Sequence, residues 1–200
     1  KIIPAFGLVN VVLPNVYGDR FLMFFKDISK TSGDLDLSTV YKGWNHYPIR
    51  IYCPPKVFQD IDLQATARAA MAEWEQGTLC DLFTEASQPE DADVIIIYDD
   101  VNEGRHHVTV TARNADGTPK TKELWIYTLN TEVPLSRYAY MVYAHELGHV
   151  FGLDHSRNLG HLLIGLTTPQ VSHPTLDELR VVQVLYHMPN LFDYSNVSEE

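Results

Sequence analysis

Residues 145–155 read His145-Glu146-Leu147-Gly148-His149-Val150-Phe151-Gly152-Leu153-Asp154-His155. On a helix, His145 and His149 project from one face, one turn apart. Glu146, three residues before His149, lies close to that face. Gly152 follows, where a helix can end on a residue at positive φ and the chain can turn sharply. That turn would bring His155 back as a third ligand to one metal ion. Three neutral imidazoles leave one position of a tetrahedral zinc ion open, as in a catalytic site and unlike a closed structural one. Glu146, off the metal but beside that position, is the candidate general base.

His–Glu pairs are also common as surface ion pairs on helices, and a bare HExxH arises by chance often enough to mislead. The longer pattern fixes five positions in eleven. With this chain's own residue frequencies it should occur by accident roughly once in 20,000 such sequences.

Working outward, the chain has 200 residues, the length of about one domain. It is 45% hydrophobic and 20% charged, enough apolar material for a true core. A formal net charge of -11 argues against a nucleic-acid partner, which requires a basic face, and against docking on anionic lipid. No apolar run reaches the roughly 20 residues of a membrane helix. Two cysteines cannot build a disulfide scaffold or a cysteine-rich zinc module. The chain begins at Lys1, so any export signal would lie upstream of it.

The element pattern surrounds the histidine segment. Residues 48–53 alternate like a strand stopped by Pro54-Pro55. Residues 62–76 carry Leu63, Ala67, Ala70, Met71 and Trp74 at helical spacing, with Gly77 expected to end the helix. Leu82–Thr84 reads as a short strand, and Val94–Tyr98 as one covered on both faces. His107–Arg113 and Leu124–Leu129 flank a turn at 114–117 and predict a hairpin. Ser136–Phe151 is a helix with Ser136 as candidate N-cap, and a last helix is expected near Thr175–Tyr186. The fold class is α/β, a layer fold with a mixed sheet. Residues 1–43 are expected to form an N-terminal extension or pro-segment with a polar stretch at 30–38, and 189–200 a tail.

The segment HExxHxxGxxH resembles the zinc signature of the metzincin metallopeptidases, and Ser156 after the third histidine is similar to the matrixin branch. Leu82-Phe83-Thr84-Glu85-Ala86-Ser87 followed by Ala92-Asp93-Val94-Ile95-Ile96 resembles a matrixin run placed after a helix ending in Trp. Pro48-Ile49-Arg50 resembles the family's first strand, and Asp177-Glu178-Leu179 with Val182-Gln183 and Leu185-Tyr186 its C-terminal helix. The resemblance implies an α+β zincin-like fold: a twisted, mixed five-stranded sheet with two long helices, an active-site helix, and a small C-terminal subdomain ending in a helix. It implies a catalytic domain at 44–188, divided into an upper subdomain 44–152 and a lower one 153–188. It further implies a zinc-dependent endopeptidase with zinc on His145, His149 and His155 and Glu146 as general base. It implies that the strand 107–113, with Val108 and Val110, is an antiparallel edge that pairs with an extended peptide. Residues 166–176 would build the outer wall of the main specificity pocket, with His173 and Pro174 shaping it.

There are departures. Leu163 stands where the clan places a methionine beneath the zinc, a change of similar volume that should cost under about 1.5 kcal/mol. No cysteine-switch motif precedes the domain, and the family's structural zinc histidines and calcium loops are not matched between Tyr98 and Leu129. Asp99, Asp100, Asn102 and Glu103 could hold calcium, but an acidic surface loop is the simpler account. His161 is read as a cleft-rim or surface histidine rather than a fourth ligand. A second metal site at His106-His107 has only composition in its favour. Tyr140 and Tyr143 are read as helix packing, and Cys53 and Cys80 as too far apart to pair. Asp34 or Asp36 could reach the open zinc position, against the simpler reading that they cap a solvated loop.

The expectation is a secreted or extracytoplasmic, monomeric metalloendopeptidase with zinc as cofactor, taking a peptide or protein substrate, with no nucleic-acid or membrane partner. Two alternatives stand beside it: a zinc-binding but latent or inactive homologue, and a non-enzymatic peptide-binding module.

Overall fold

β-Branched alternation and helical apolar spacing build a mixed sheet with three helices packed together against it. In the computed structural model the described residues are 43–99, 107–116, 118–127, 134–156, 159–165 and 171–187. The expectations placed on residues 1–42, on Asp100, Asn102, Glu103 and His106, on 166–170 and on 188–200 lie outside them. The elements are β1 (Ile49–Tyr52), β2 (Val57–Phe58), β3 (Ile61–Asp62), α1 (Leu63–Thr78), β4 (Phe83–Glu85), β5 (Val94–Asp99), β6 (Val108–Arg113), β7 (Pro119–Tyr127), α2 (Leu135–Phe151) and α3 (Leu176–His187). The main sheet has five strands in the order β4-β1-β5-β7-β6. All its pairs are parallel except β6–β7, the expected hairpin, which leaves β6 as an antiparallel edge.

One face of the sheet presents Ile49, Ile51, Val94, Ile96, Leu124 and Ile126 to a core shared with Ala67, Ala70, Met71 and Trp74 of α1 and with Tyr143, Leu147, Val150 and Phe151 of α2. Val181, Val182, Val184 and Leu185 of α3 complete it. The reading of Val94–Tyr98 as covered on both faces requires correction. Val94 and Ile96 are buried, but Ile95, Ile97 and Tyr98 are only half-buried. An apolar run marks burial without telling one helix layer from two.

Three further expectations are corrected. Gly77 does not end α1, which runs on to Thr78 and closes on Leu79 at φ 57. A Cβ at Gly77 would stand 2.5 Å from Leu179 Cδ2, so this glycine serves the close approach of α3. Ser136 is not the N-cap of α2: the helix already includes Leu135, and the cap is Pro134 with no side-chain hydrogen bond. β7 lies earlier than expected, beginning at Pro119, because residues 119–123 find partners in β6 and β5. The two-stranded ribbon β2–β3 was not foreseen; it turns on Gln59 and Asp60, both at positive φ. Cys53 and Cys80 are buried and unbridged. Among the described residues, no helix is long and apolar enough to cross a membrane.

Candidate active site

The end of α2 carries the first two histidines, and its exit returns the third. Gly152 has φ 114, a conformation that glycine adopts without steric cost, and its N–H donates to the carbonyl of His149. The chain then folds back so that Ser156 N–H donates to Leu163 O at 2.7 Å. Nitrogen atoms of His145, His149 and His155 all come within 4.8 Å of one another. His145 and His149 are half-buried, and His155 is exposed.

Backbone carbonyls set the tautomers. His145 Nδ1 donates to Leu162 O at 2.8 Å and His149 Nδ1 to Leu153 O at 2.7 Å. Both Nε2 lone pairs therefore point inward, 3.1 Å apart. Two lone pairs at that separation repel unless a cation lies between them. Nitrogens bound at 2.0–2.1 Å to one tetrahedral zinc stand about 3.3 Å apart, so the pair is close to the spacing such an ion requires. Desolvation, reinforced by the neighbouring imidazoles, lowers His145 to about 4 and His149 to about 3, which keeps both neutral, the form that ligates metal.

Beneath the triad, the turn at 161–165 packs against α2. Leu163 is buried, and a Cβ on Gly148 would meet its Cδ2 at 2.7 Å. A Cβ on Gly165 would lie 3.1 Å from the His155 ring. Glu178 of α3, fully buried, fixes this turn: its carboxylate accepts from Leu163 N at 2.8 Å and Leu162 N at 3.3 Å. It also accepts from Thr175 N and Oγ1, the reciprocal pattern of a helix capping box. A single carboxylate thus caps α3 and holds the turn whose carbonyl orients His145.

Glu146 is buried, and its carboxylate accepts a hydrogen bond from Thr109 Oγ1 on β6 at 2.9 Å. Desolvation raises it to about 7, with the Thr109 bond pulling the other way. The last carbonyls of α2 are satisfied from outside the helix. Lys122 Nζ, buried in β7, donates to His149 O at 2.7 Å and Val150 O at 2.6 Å, and Trp44 Nε1 donates to Val150 O.

A family model described as matrixin matches residues 44–187. The chain belongs to the matrixin family. No curated protein matches it. In this matrixin the five-stranded sheet and three helices agree with the expected zincin fold. The three histidines fit the family's zinc motif, and the inward lone pairs and neutral rings of His145 and His149 suit zinc. Among the described residues they are the only cluster of three or more such side chains able to hold a metal ion.

The remaining expected residues fall as follows. Val108 and Val110 lie on β6, and Val110 is exposed. His173 donates from Nδ1 to the Glu73 carboxylate of α1 at 2.9 Å and lies beside Tyr140 of α2, whose hydroxyl donates to the same carboxylate. Pro174 follows it, one residue before the capping Thr175. Tyr143 is buried and donates to Tyr98 Oη, as packing predicts. The reading of His161 as a rim or surface residue is overturned: it is 4% exposed and hydrogen-bonded at Nδ1 to Ser156 Oγ. The return of the chain to Ser156 carries it inward, and the Ser156 hydroxyl satisfies its ring.

Sequence reasoning missed Thr109, Lys122 and the role of Glu178. The Thr175-x-x-Glu178 spacing was a legible capping-box signal. Lys122 stands two residues before Leu124 and four before Ile126, so alternation puts it on the buried face.

Proposed function

We propose that this matrixin is a zinc-dependent endopeptidase with Glu146 as general base. The observation that carries it is the convergence of His145, His149 and His155 beside a buried carboxylate. His145, His149 and His155 would hold the zinc, which when bound would supply a Lewis acid that makes a bound water far more acidic. The chain's own residues supply the rest. Glu146, buried and raised toward neutrality, accepts a proton at its carboxylate and returns it to the leaving amine. The carbonyls of Leu162 and Leu153 hold the two helical imidazoles in the ligating tautomer.

The free edge of β6, with Val108 and Val110, receives an extended peptide by main-chain pairing, which favours no particular sequence. His173 and Pro174 border the substrate on the other side of the cleft. The catalytic unit is 44–188, split after Gly152, and it acts as an exported monomer. The test is zinc analysis of the purified protein together with cleavage assays on Glu146→Ala. About one zinc per chain is expected, with cleavage reduced by roughly 100-fold or more in the variant. Absence of stoichiometric zinc, or full cleavage by the variant, would overturn the reading.

A further inference from the structure

Glu146 is 4% exposed, and among the described residues no cation pairs with it. A buried carboxylate in that position needs a hydrogen-bond donor, and a glutamate side chain otherwise has several rotamers available. The donor is Thr109. In the β6–β7 register Thr109 stands opposite Leu124, whose side chain is wholly buried under the helices. Residues directly opposite one another share a face, so Thr109 turns toward α2 while its neighbour Val110 is exposed. Its Oγ1 lies 2.9 Å from Glu146 Oε2 and 3.3 Å from the Glu146 carbonyl. A hydroxyl has one proton, and the shorter contact is to the side-chain oxygen, so that bond is the better formed. A β-branched side chain is stiff at χ1, so the oxygen is held in place by its own backbone.

We propose that Thr109 is the positioning residue for the general base, fixing Oε2 of Glu146 from the strand on which the peptide lies. This rests on the reading of Glu146 as base given above. Oε1 is left to carry the proton, and the base is registered to the strand that registers the substrate. Threonine at 109 therefore links peptide placement to proton transfer through one hydroxyl.

Three variants test it: Thr109→Ser, which keeps the hydroxyl, and Thr109→Ala and Thr109→Val, which lack it. Each is assayed with the peptide most rapidly cleaved from a fluorescence-quenched library, alongside zinc content and circular dichroism. Thr109→Ala and Thr109→Val should lower kcat about 10-fold or more with KM within about threefold of the parent, and Thr109→Ser should restore most of kcat. Equal kcat in the Ser and Ala variants, or a loss confined to KM, overturns the proposal. Should Thr109→Val fail to fold, the Ser and Ala pair, which differ only in the hydroxyl, still decides. Glu146→Gln separates the two levels. Full activity in that variant removes the underlying reading. An inactive Glu146→Gln with an unimpaired Thr109→Ala removes only the role of Thr109.

Discussion

Glu178 of α3 and Leu163 of the turn beneath the histidines are joined by a 2.8 Å hydrogen bond from the Leu163 N–H to the buried carboxylate. The same carboxylate takes the N–H of Leu162, whose carbonyl receives Nδ1 of His145. A residue remote in sequence thereby sets the orientation of a candidate metal ligand.

Replacing Glu178 with Ala leaves two turn N–H groups and the cap of α3 without their acceptor. A loss of about 2–4 kcal/mol is expected in urea unfolding, because buried donors are left unpaired and a cavity opens. Zinc affinity should fall by roughly 10-fold or more, as for other residues that support a ligand from behind. Glu178→Gln keeps one acceptor oxygen and should be milder in both measurements.

Gly148 and Leu163 are fitted to each other. Alanine at 148 gains helix propensity of about 1 kcal/mol, but its Cβ meets the buried Leu163 side chain, an overpacking that costs about 1–3 kcal/mol. A net destabilisation is expected for Gly148→Ala alone. Leu163→Ala destabilises on its own but removes the clash, so the double variant should be less destabilised than the sum of the single changes predicts. Thermal unfolding of the four proteins measures that coupling.

Leu163→Met restores a side chain of nearly equal volume and no hydrogen-bonding demand. Stability should change by less than about 1.5 kcal/mol, with zinc retained at one per chain. Metal analysis and unfolding of the purified variant check this.

Asp93 governs stability in acid. Desolvation pushes its carboxyl up, but bonds from the Arg50 side chain, His46 and the Arg50 N–H together outweigh this and hold it at about 2. A depressed folded-state pKa stabilises the protein above the unfolded value near 4, and that contribution disappears as pH falls toward 2. About 1–2 kcal/mol is expected, discounted because Arg50 is half-exposed. Urea midpoints between pH 5 and pH 2 should fall less steeply in Asp93→Asn than in the parent.

Removal of metal separates the 3.1 Å pair of His145 and His149 from the cation that would sit between them. Chelation should lower the melting temperature by several degrees, and added zinc should restore it in proportion to its binding free energy. A melting temperature unchanged by both treatments would count against a metal site here.

Much of the fold was legible because its signals are local. The period of α1, the glycine exit of α2 and the turn at Ala115-Asp116 each depend on neighbours a few residues away. The histidine triad is local too, since eleven residues on a helix and one sharp turn bring its members together. The roles of Gly77 and Lys122 were not legible, because each is set by an element distant in sequence: Leu179 for Gly77 and the end of α2 for Lys122. His161 was misread for a nearer reason, since the pairing of Ile164 with Ser156 carries it inward against the Ser156 hydroxyl, five residues before it.

The sequence by itself determined the candidate ligands, the general base candidate and the class of fold, since helical spacing and a positive-φ glycine need no tertiary partner. Only the tertiary structure decided which hydrogen bonds orient those groups. Thr109 reaches Glu146 across 37 positions, Glu178 reaches Leu163 across 15, and Lys122 reaches His149 across 27. A threonine in a strand or a glutamate in a helix carries no mark of its partner until the layers pack. Short-range periodicity therefore names the chemistry, and long-range packing sets its geometry.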